Sequence, residues 1–203
     1  DIATVTTIGS QLATAVEIYS APNKRDSARL RVGNAYEKML QEAVAGSDLQ
    51  LQFARNFTSF ASSAEHNDLI KELLDGKLTG LKVDADLRWT FVIALAERGL
   101  MDKEELSAQL LKDNTLNGQL SFASALAARP TADAKEETWK SITTEDISTS
   151  QREAKLAGFM RALHRPLLSA YVDPYFDLLL SIWGKKSYEV ASSFVSGMYP
   201  VYI

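Results

Sequence analysis

The sequence contains no cysteine among its 203 residues. This excludes disulfide bonds, thiolate metal sites and cysteine nucleophiles, and it fits a reducing compartment. No apolar run approaches the roughly 20 residues that a membrane-spanning helix needs, so we expect no membrane association. The formal net charge of −4 argues against a general nucleic-acid binder, because such a protein needs a basic face to displace counterions.

The amino terminus shows neither an initiator methionine nor a signal peptide. Its first ten residues, DIATVTTIGS, have no basic region and no apolar core. They begin in the middle of a helical pattern, which is typical of a domain taken from a longer polypeptide, although a processed terminus would look the same. The hydrophobic content of 46% is that of an ordinary globular protein, and the length suits one sizeable domain or two small ones.

Hydrophobic residues recur every three or four positions along almost the whole chain, which indicates α-helices. In the first segment they are Val5, Ile8, Leu12, Ala15 and Tyr19. Pro22 interrupts this pattern, and we expect a second helix from about Asp26. About eleven helices joined by short turns are predicted in this way, with no convincing strand or hairpin. The fold class is therefore all-α. Stacked helical hairpins are favoured, and an irregular bundle is the alternative because no sequence repeat is visible.

Several helix ends carry recognisable capping residues. Asp102 with Glu105, and Ser148 with Gln151, have the spacing of a capping box. Gly99 is expected to end the helix before Asp102. The segment DGKLTGLKVD contains two glycines and little periodicity. We therefore expect one domain, residues 1–203, with a candidate internal hinge near residues 76–83.

A search for catalytic motifs finds little. Only two histidines occur, His66 and His164, and neither lies in an HExxH motif or another paired ligand spacing. We expect His66 to face solvent near a helix start and His164 to lie at a helix carboxyl end, where imidazole suits the dipole. The acidic runs DKEE and KEE are interpreted as first turns of helices. The residues themselves thus point to no catalytic, cofactor or metal site, and an all-α enzyme with carboxylates from distant positions stays open.

Trp89, Trp139 and Trp183 each lie within a predicted helix, and core packing is the default interpretation of all three. Arg88 borders the apolar stripe of its helix rather than opposing it. An arginine there could hold a ligand. The structural alternatives are that its stem packs while its head reaches water, or that it pairs with a neighbouring carboxylate such as Asp84.

Six segments, in order, carry a resemblance to a known family. They are VDADLRWTFVIALAERG, LLKDNTLNGQ, ARPTADAKEETW, QREAKLAGF, LLSAYVDPYF and IWGKKSYEVASSFVSGMYP. Together they resemble the C-terminal helical domain of the gluzincin zinc aminopeptidases, in the form found in actinobacterial aminopeptidase N. That family also includes the tricorn-interacting factors and the endoplasmic-reticulum aminopeptidases. The resemblance runs from about Asp1 to Pro200 and is strongest after Lys82.

The resemblance implies an all-α, right-handed superhelix of stacked helical hairpins, HEAT- or armadillo-like. In that family the zinc-binding HExxH motif, its distal glutamate, the GxMEN loop and a catalytic tyrosine belong to a preceding domain, and none occurs here. The resemblance therefore implies no catalytic, cofactor or metal residue in this chain and places zinc in the parent's catalytic domain. The chain would cap that domain and enclose the peptide chamber, with Arg88 as the candidate substrate-channel residue.

The implied partners are the catalytic domain of the same polypeptide and peptide substrates, in the cytoplasm, without nucleic acid or membrane. The alternative is a free-standing α-helical repeat scaffold for protein–protein interaction. An HExxH motif some hundreds of residues upstream would favour the first interpretation. An initiator methionine just before Asp1 would favour the second.

Overall fold

The computed structural model describes residues 1–201, and every regular element within them is helical. The α-helices in this part of the chain are α1 (Ile2–Thr14), α2 (Pro22–Glu42), α3 (Asp48–Phe60), α4 (Ala64–Leu74), α5 (Ala85–Glu97), α6 (Lys103–Lys112), α7 (Leu116–Ala128), α8 (Ala132–Thr144), α9 (Thr149–Phe159), α10 (Arg165–Leu168), α11 (Val172–Lys185) and α12 (Tyr188–Gly197). All but α10 have ten residues or more, and 78% of the chain is helical. The predictions of an all-α fold and about eleven helices are confirmed.

Pro22 begins a helix, so the prediction that α2 starts near Asp26 is wrong. The proline ring fixes φ near its helical value, and the missing N–H would have no partner in the first turn anyway. The preceding helical pattern does reach Tyr19, because a π-helical turn, Ala15–Tyr19, extends α1.

Both predicted capping boxes are confirmed. The Asp102 carboxylate accepts a hydrogen bond from the Glu105 N–H at 2.8 Å, and the Glu105 carboxylate accepts one from the Asp102 N–H at 2.9 Å. Ser148 and Gln151 make the same pair of bonds at the start of α9, at 3.2 and 3.4 Å. Gly99 follows α5 with φ of 70°, the left-handed conformation that ends helices.

The chain divides into two compact units, one of residues Asp1–Leu95 and one from Ala96 onwards. In the first unit, α2 packs along α3, and α1 also contacts α3. The fully buried large side chains of this unit are Leu40, Phe57, Ile70, Leu73, Leu87, Phe91 and Leu95. The division falls within α5, and the right-handed superhelix stays a prediction.

The glycine-containing segment 76–83 lies within the first unit. The Gln50 amide donates to the Thr79 carbonyl at 3.0 Å, which fastens the segment to the start of α3. Gly80 has φ of 82°, and a Cβ atom there would lie 2.4 Å from the Gly46 nitrogen. The close approach to Gly46 and the positive φ explain the glycine at position 80. The hinge near residues 76–83 is not tested by them and stays a prediction.

In the second unit, α9 contacts α7, α8 and α12. The core around it consists of Ile142, Leu156, Phe159, Leu168, Tyr175, Ile182, Ala191, Phe194 and Met198. Trp139 packs against this core, and Trp89 in the first unit is buried, as expected. Trp183 is 52% exposed, so the core prediction is wrong for it. Its neighbour Ile182 occupies the buried position of α11, and the next residue on a helix faces about 100° away.

No helix within residues 1–201 is both long and apolar enough to cross a membrane.

Candidate functional site

No three histidine, aspartate or glutamate side chains in residues 1–201 lie close enough together to hold a metal ion. Both histidines are instead buried and bound to neighbouring groups of the chain. Zinc in another part of a parent polypeptide stays a prediction.

His66 is buried, so the prediction that it faces solvent is wrong. Its Nδ1 atom accepts a hydrogen bond from the Ser62 N–H at 3.2 Å, and its Nε2 atom lies 3.4 Å from the Glu37 carboxylate. The ring packs edge-on against Phe57. A Cβ atom at Gly33 would lie 2.8 Å from the His66 ring, so the glycine lets α2 approach the imidazole. The polar neighbours of His66 in the sequence gave no sign of this.

His164 belongs to a buried polar cluster of the second unit. It is the last residue of a 3₁₀ turn, Ala162–His164, and its Nε2 atom lies 2.8 Å from the Glu97 carbonyl oxygen. Since a carbonyl only accepts, Nε2 carries the hydrogen, which leaves Nδ1 as an acceptor. Burial, and the positive charge of Lys135, lower the pKa of His164 below its ordinary value. His164 does lie at the carboxyl end of a helical turn, as expected. Its imidazole, however, contacts the carboxyl end of a different helix, α5.

The Glu97 carboxylate is the anion of this cluster. Its Oε2 atom lies 2.5 Å from the Arg161 guanidinium and 3.6 Å from that of Arg98. Burial raises the pKa of the Glu97 carboxyl, but the charges of Arg161 and Arg98 outweigh it and hold the pKa below its usual range. Glu97 is therefore a buried carboxylate anion, stabilised by two guanidinium groups.

Lys135 is the fully buried cation of the cluster. Its ammonium group donates to the Ala127 carbonyl at 2.7 Å and to the Phe159 carbonyl at 3.2 Å. Burial lowers the pKa of Lys135 to about 7, although the Glu97 charge opposes this shift. The prediction that the KEE run is a first helical turn is wrong, since α8 begins at Ala132 and its first-turn acid is Asp133, which places Glu136 and Glu137 in the second turn. Lys135 faces inward with Thr138, which the sequence analysis missed although a spacing of three residues places both on one face.

The carboxyl ends of three helices meet at this cluster. Glu97 ends α5, Ala127 lies one residue before the end of α7, and Phe159 ends α9. The last carbonyls of a helix lack partners within it, and cations there also suit the helix dipole. Lys135 and His164 supply the missing donors. Glu97, Lys135 and His164 are buried, and their contacts join the carboxyl ends of α5, α7 and α9, which is a structural role.

Arg88, the residue proposed from the sequence, lies on α5 within the first unit and is partly exposed. Its main-chain N–H donates to the Asp84 carbonyl at 2.9 Å. The Asp84 carboxylate accepts from the Leu87 N–H at 2.9 Å, as an N-cap does. Among residues 1–201 the Arg88 guanidinium forms no ion pair with Asp84 or any other carboxylate. A role for Arg88 in holding a ligand stays a prediction.

An apolar groove in the first unit has a cavity volume of about 560 Å³. It is lined by Val5, Ile8 and Leu12 of α1, by Ala28, Arg31, Val32, Ala35, Tyr36 and Met39 of α2, and by Phe53 of α3. Val5, Ile8 and Leu12, whose spacing predicted a single helix face, line this open groove, and Arg31 is its charged lining residue.

Comparison with known proteins agrees with the resemblance in the sequence. A family model described as the ERAP1-like C-terminal domain matches residues 1–203. Aminopeptidase N of Streptomyces lividans is 40% identical over 203 residues, a match that covers 98% of this chain. The chain spans only 24% of the length of that relative. The chain belongs to the ERAP1-like C-terminal domain family.

Proposed function

We propose that this chain is the non-catalytic C-terminal domain of a zinc-dependent aminopeptidase. It caps the catalytic domain and encloses the chamber that receives peptide substrates. The observation that carries the proposal is the match to a C-terminal domain family along the whole chain, together with 40% identity to a relative named aminopeptidase N. Because the chain corresponds to about a quarter of that relative, most of the polypeptide, with its chemistry, lies outside it.

The buried polar side chains of the two units support a structural rather than a catalytic role for this chain in such an enzyme. His66, His164, Glu97 and Lys135 are the buried groups with catalytic potential, and each is engaged in joining helices. Stiff helical hairpins suit a chamber wall, because such a wall has to keep its shape while it excludes water from the reaction. The partly exposed Arg88 then serves as the contact for a peptide carboxylate, which a guanidinium holds through two parallel hydrogen bonds. A cytoplasmic location belongs to the same proposal.

The test is peptide-length discrimination by the complete polypeptide. Hydrolysis of N-terminal residues should be measured for a series of peptides that share the first residue and differ in length, with and without residues 1–203. Deletion should flatten the dependence of kcat/KM on length, while the zinc content of the remaining part is unchanged. A complete polypeptide that releases no N-terminal residues would overturn the proposal. Unaltered length dependence in the deletion variant would overturn the capping role.

A further inference from the structure

One side of α11 exposes large apolar side chains in a row. Phe176, Leu180 and Trp183 are spaced as i, i+4 and i+7, and they are 52%, 81% and 52% exposed. Tyr188 at the start of α12 is 75% exposed, and its ring centroid lies 6.0 Å from that of Trp183. We call these four residues the α11 stripe. The stripe is not the core-facing side of the helix, because Tyr175 and Ile182 occupy that side.

The α11 stripe is continuous rather than a scatter of single residues. Residues three and four apart on a helix are surface neighbours, so Leu180 lies between Phe176 and Trp183 on one side of α11. The Tyr188 ring packs beside that of Trp183 and extends the row. Single exposed apolar residues are normal on soluble proteins, whereas a contiguous apolar patch marks an interaction site. Leu111 on α6, 85% exposed, is a single residue of that normal kind and serves as a comparison.

Charge next to the stripe indicates what kind of surface it fits. Asp173 and Asp177 are exposed, and each lies three residues before a member of the stripe, Phe176 and Leu180 respectively. At the other end of the stripe, Lys185 and Lys186 are exposed between Trp183 and Tyr188, so the acidic edge is confined to the Phe176–Leu180 end. Within residues 1–201 neither carboxylate forms an ion pair. A partner that combines an apolar surface with lysine or arginine beside it would bury the stripe and neutralise both carboxylates.

We infer that the α11 stripe is the surface by which this domain docks onto another part of its own polypeptide, an apolar face with basic side chains opposite Asp173 and Asp177. The inference rests on the proposed function, because it requires a longer polypeptide. About three quarters of the matched relative lies outside the region of similarity, so a covalently attached partner is available there. Tethering by a short linker holds such a face at an effective concentration of about millimolar.

Hydroxyl-radical footprinting of the complete polypeptide tests the inference without measuring activity. Trp183 should be oxidised slowly in the wild type and several-fold faster in Leu180→Asp, because a charge in the stripe opposes docking. Asp177→Lys should also speed its oxidation, since it repels the basic groups opposite. The matched control Leu111→Asp, at an equally exposed leucine outside the stripe, should leave the rate at Trp183 unchanged.

Rapid oxidation of Trp183 in the wild type, unaffected by Leu180→Asp, would overturn the inference. Protection of Trp183 that disappears on dilution would also overturn it, since that result identifies a second copy as the partner. These results are separate from the proposed function. Peptide-length discrimination with an unprotected stripe refutes only the docking surface, whereas a protected stripe in a polypeptide without aminopeptidase activity refutes only the proposed function.

Discussion

Lys135 contacts Phe159 in two ways: its Nζ atom donates to the Phe159 carbonyl at 3.2 Å and lies 5.5 Å from the centroid of the Phe159 ring. The aromatic face attracts the cation, and the carbonyl oxygen accepts a hydrogen bond from it. Together with the Ala127 carbonyl, these groups hold a side chain that is otherwise strongly disfavoured in a protein interior. The balance between burial and these contacts sets how Lys135 responds to pH.

The contribution of Lys135 to the stability of the folded chain should rise with pH. Its folded pKa of about 7 lies below the ordinary value of 10.5. Between these values the unfolded chain binds the extra proton, so the contribution of Lys135 to the free energy of unfolding rises with pH. The rise is on the order of 2–4 kcal/mol. Urea denaturation at pH 7 and pH 9.5 should show that Lys135→Met becomes more destabilising, relative to wild type, at the higher pH.

Lys140→Met is the control for that experiment, because Lys140 lies on the same helix and is exposed. Its effect on stability should be small and equal at both pH values. If Lys135→Met also shifts stability equally at pH 7 and pH 9.5, the buried ammonium is not titrating as described.

Glu97→Gln should destabilise the chain by about 2–4 kcal/mol at pH 7, because it removes the buried carboxylate that pairs with the Arg161 guanidinium. The folded pKa of Glu97 is depressed, so the stability that its charge supplies is present above its unfolded pKa and is lost as pH falls through the folded pKa. Denaturation curves of variant and wild type should therefore converge in acid. Glu153→Gln, at an exposed carboxylate on α9, should change little, and a comparable loss there would contradict the assignment.

Two glycines should respond to alanine in opposite directions. A Cβ atom at Gly158 would lie 2.1 Å from the Ser124 carbonyl oxygen, so Gly158→Ala must push α9 away from α7 and should cost about 1–3 kcal/mol. Gly184 lies within α11 with nothing near the position of a Cβ atom. Gly184→Ala should stabilise by about 0.4–1 kcal/mol, because alanine has less freedom to lose on forming helix. Thermal unfolding measures both, and two changes of the same sign would contradict the packing.

The isolated chain should hydrolyse no aminoacyl-anilide substrate and should bind no stoichiometric zinc. Its two histidines are far apart in the sequence, and each is held in a separate network of hydrogen bonds. Metal analysis after extensive dialysis checks the binding, and a chromogenic assay checks the activity. Tight zinc in a stoichiometric amount would show that a metal site has been missed.

Arg88→Ala in the complete polypeptide should raise KM for short peptides with a free C-terminal carboxylate by about tenfold, which corresponds to about 1.4 kcal/mol. Amidated peptides of the same sequence should be unaffected, because they offer no carboxylate to the guanidinium. Lys82→Ala, at an exposed cation nearby in the sequence, is the matched control. Equal losses on free and amidated peptides, with a lower melting temperature, would assign Arg88 to structure instead.

The sequence predicted correctly those features that depend only on residues close together in the chain, such as helix caps. The capping box of Asp102 and Glu105 depends on three residues of spacing and was predictable for that reason. The position of His66 depends on Gly33, which is distant in sequence, so nothing near the histidine could reveal its burial. Lys135 was missed because a charged residue is expected to face water, and here carbonyls from two other helices reverse that preference. Arg88 was identified from its helix face, and its role stays a prediction.

The meeting of α5, α7 and α9 at Lys135 and His164 bears on how the second unit opens locally. A helix normally frays from its ends one residue at a time, because each terminal hydrogen bond breaks independently. At this junction, unwinding the end of α7 or of α9 would remove one of the two carbonyl acceptors of the buried Lys135 ammonium. The helix end that is still folded would then lie beside a cation that lacks a hydrogen-bond partner. Amide protons in the last turns of α7 and α9 should therefore exchange with solvent in one concerted event.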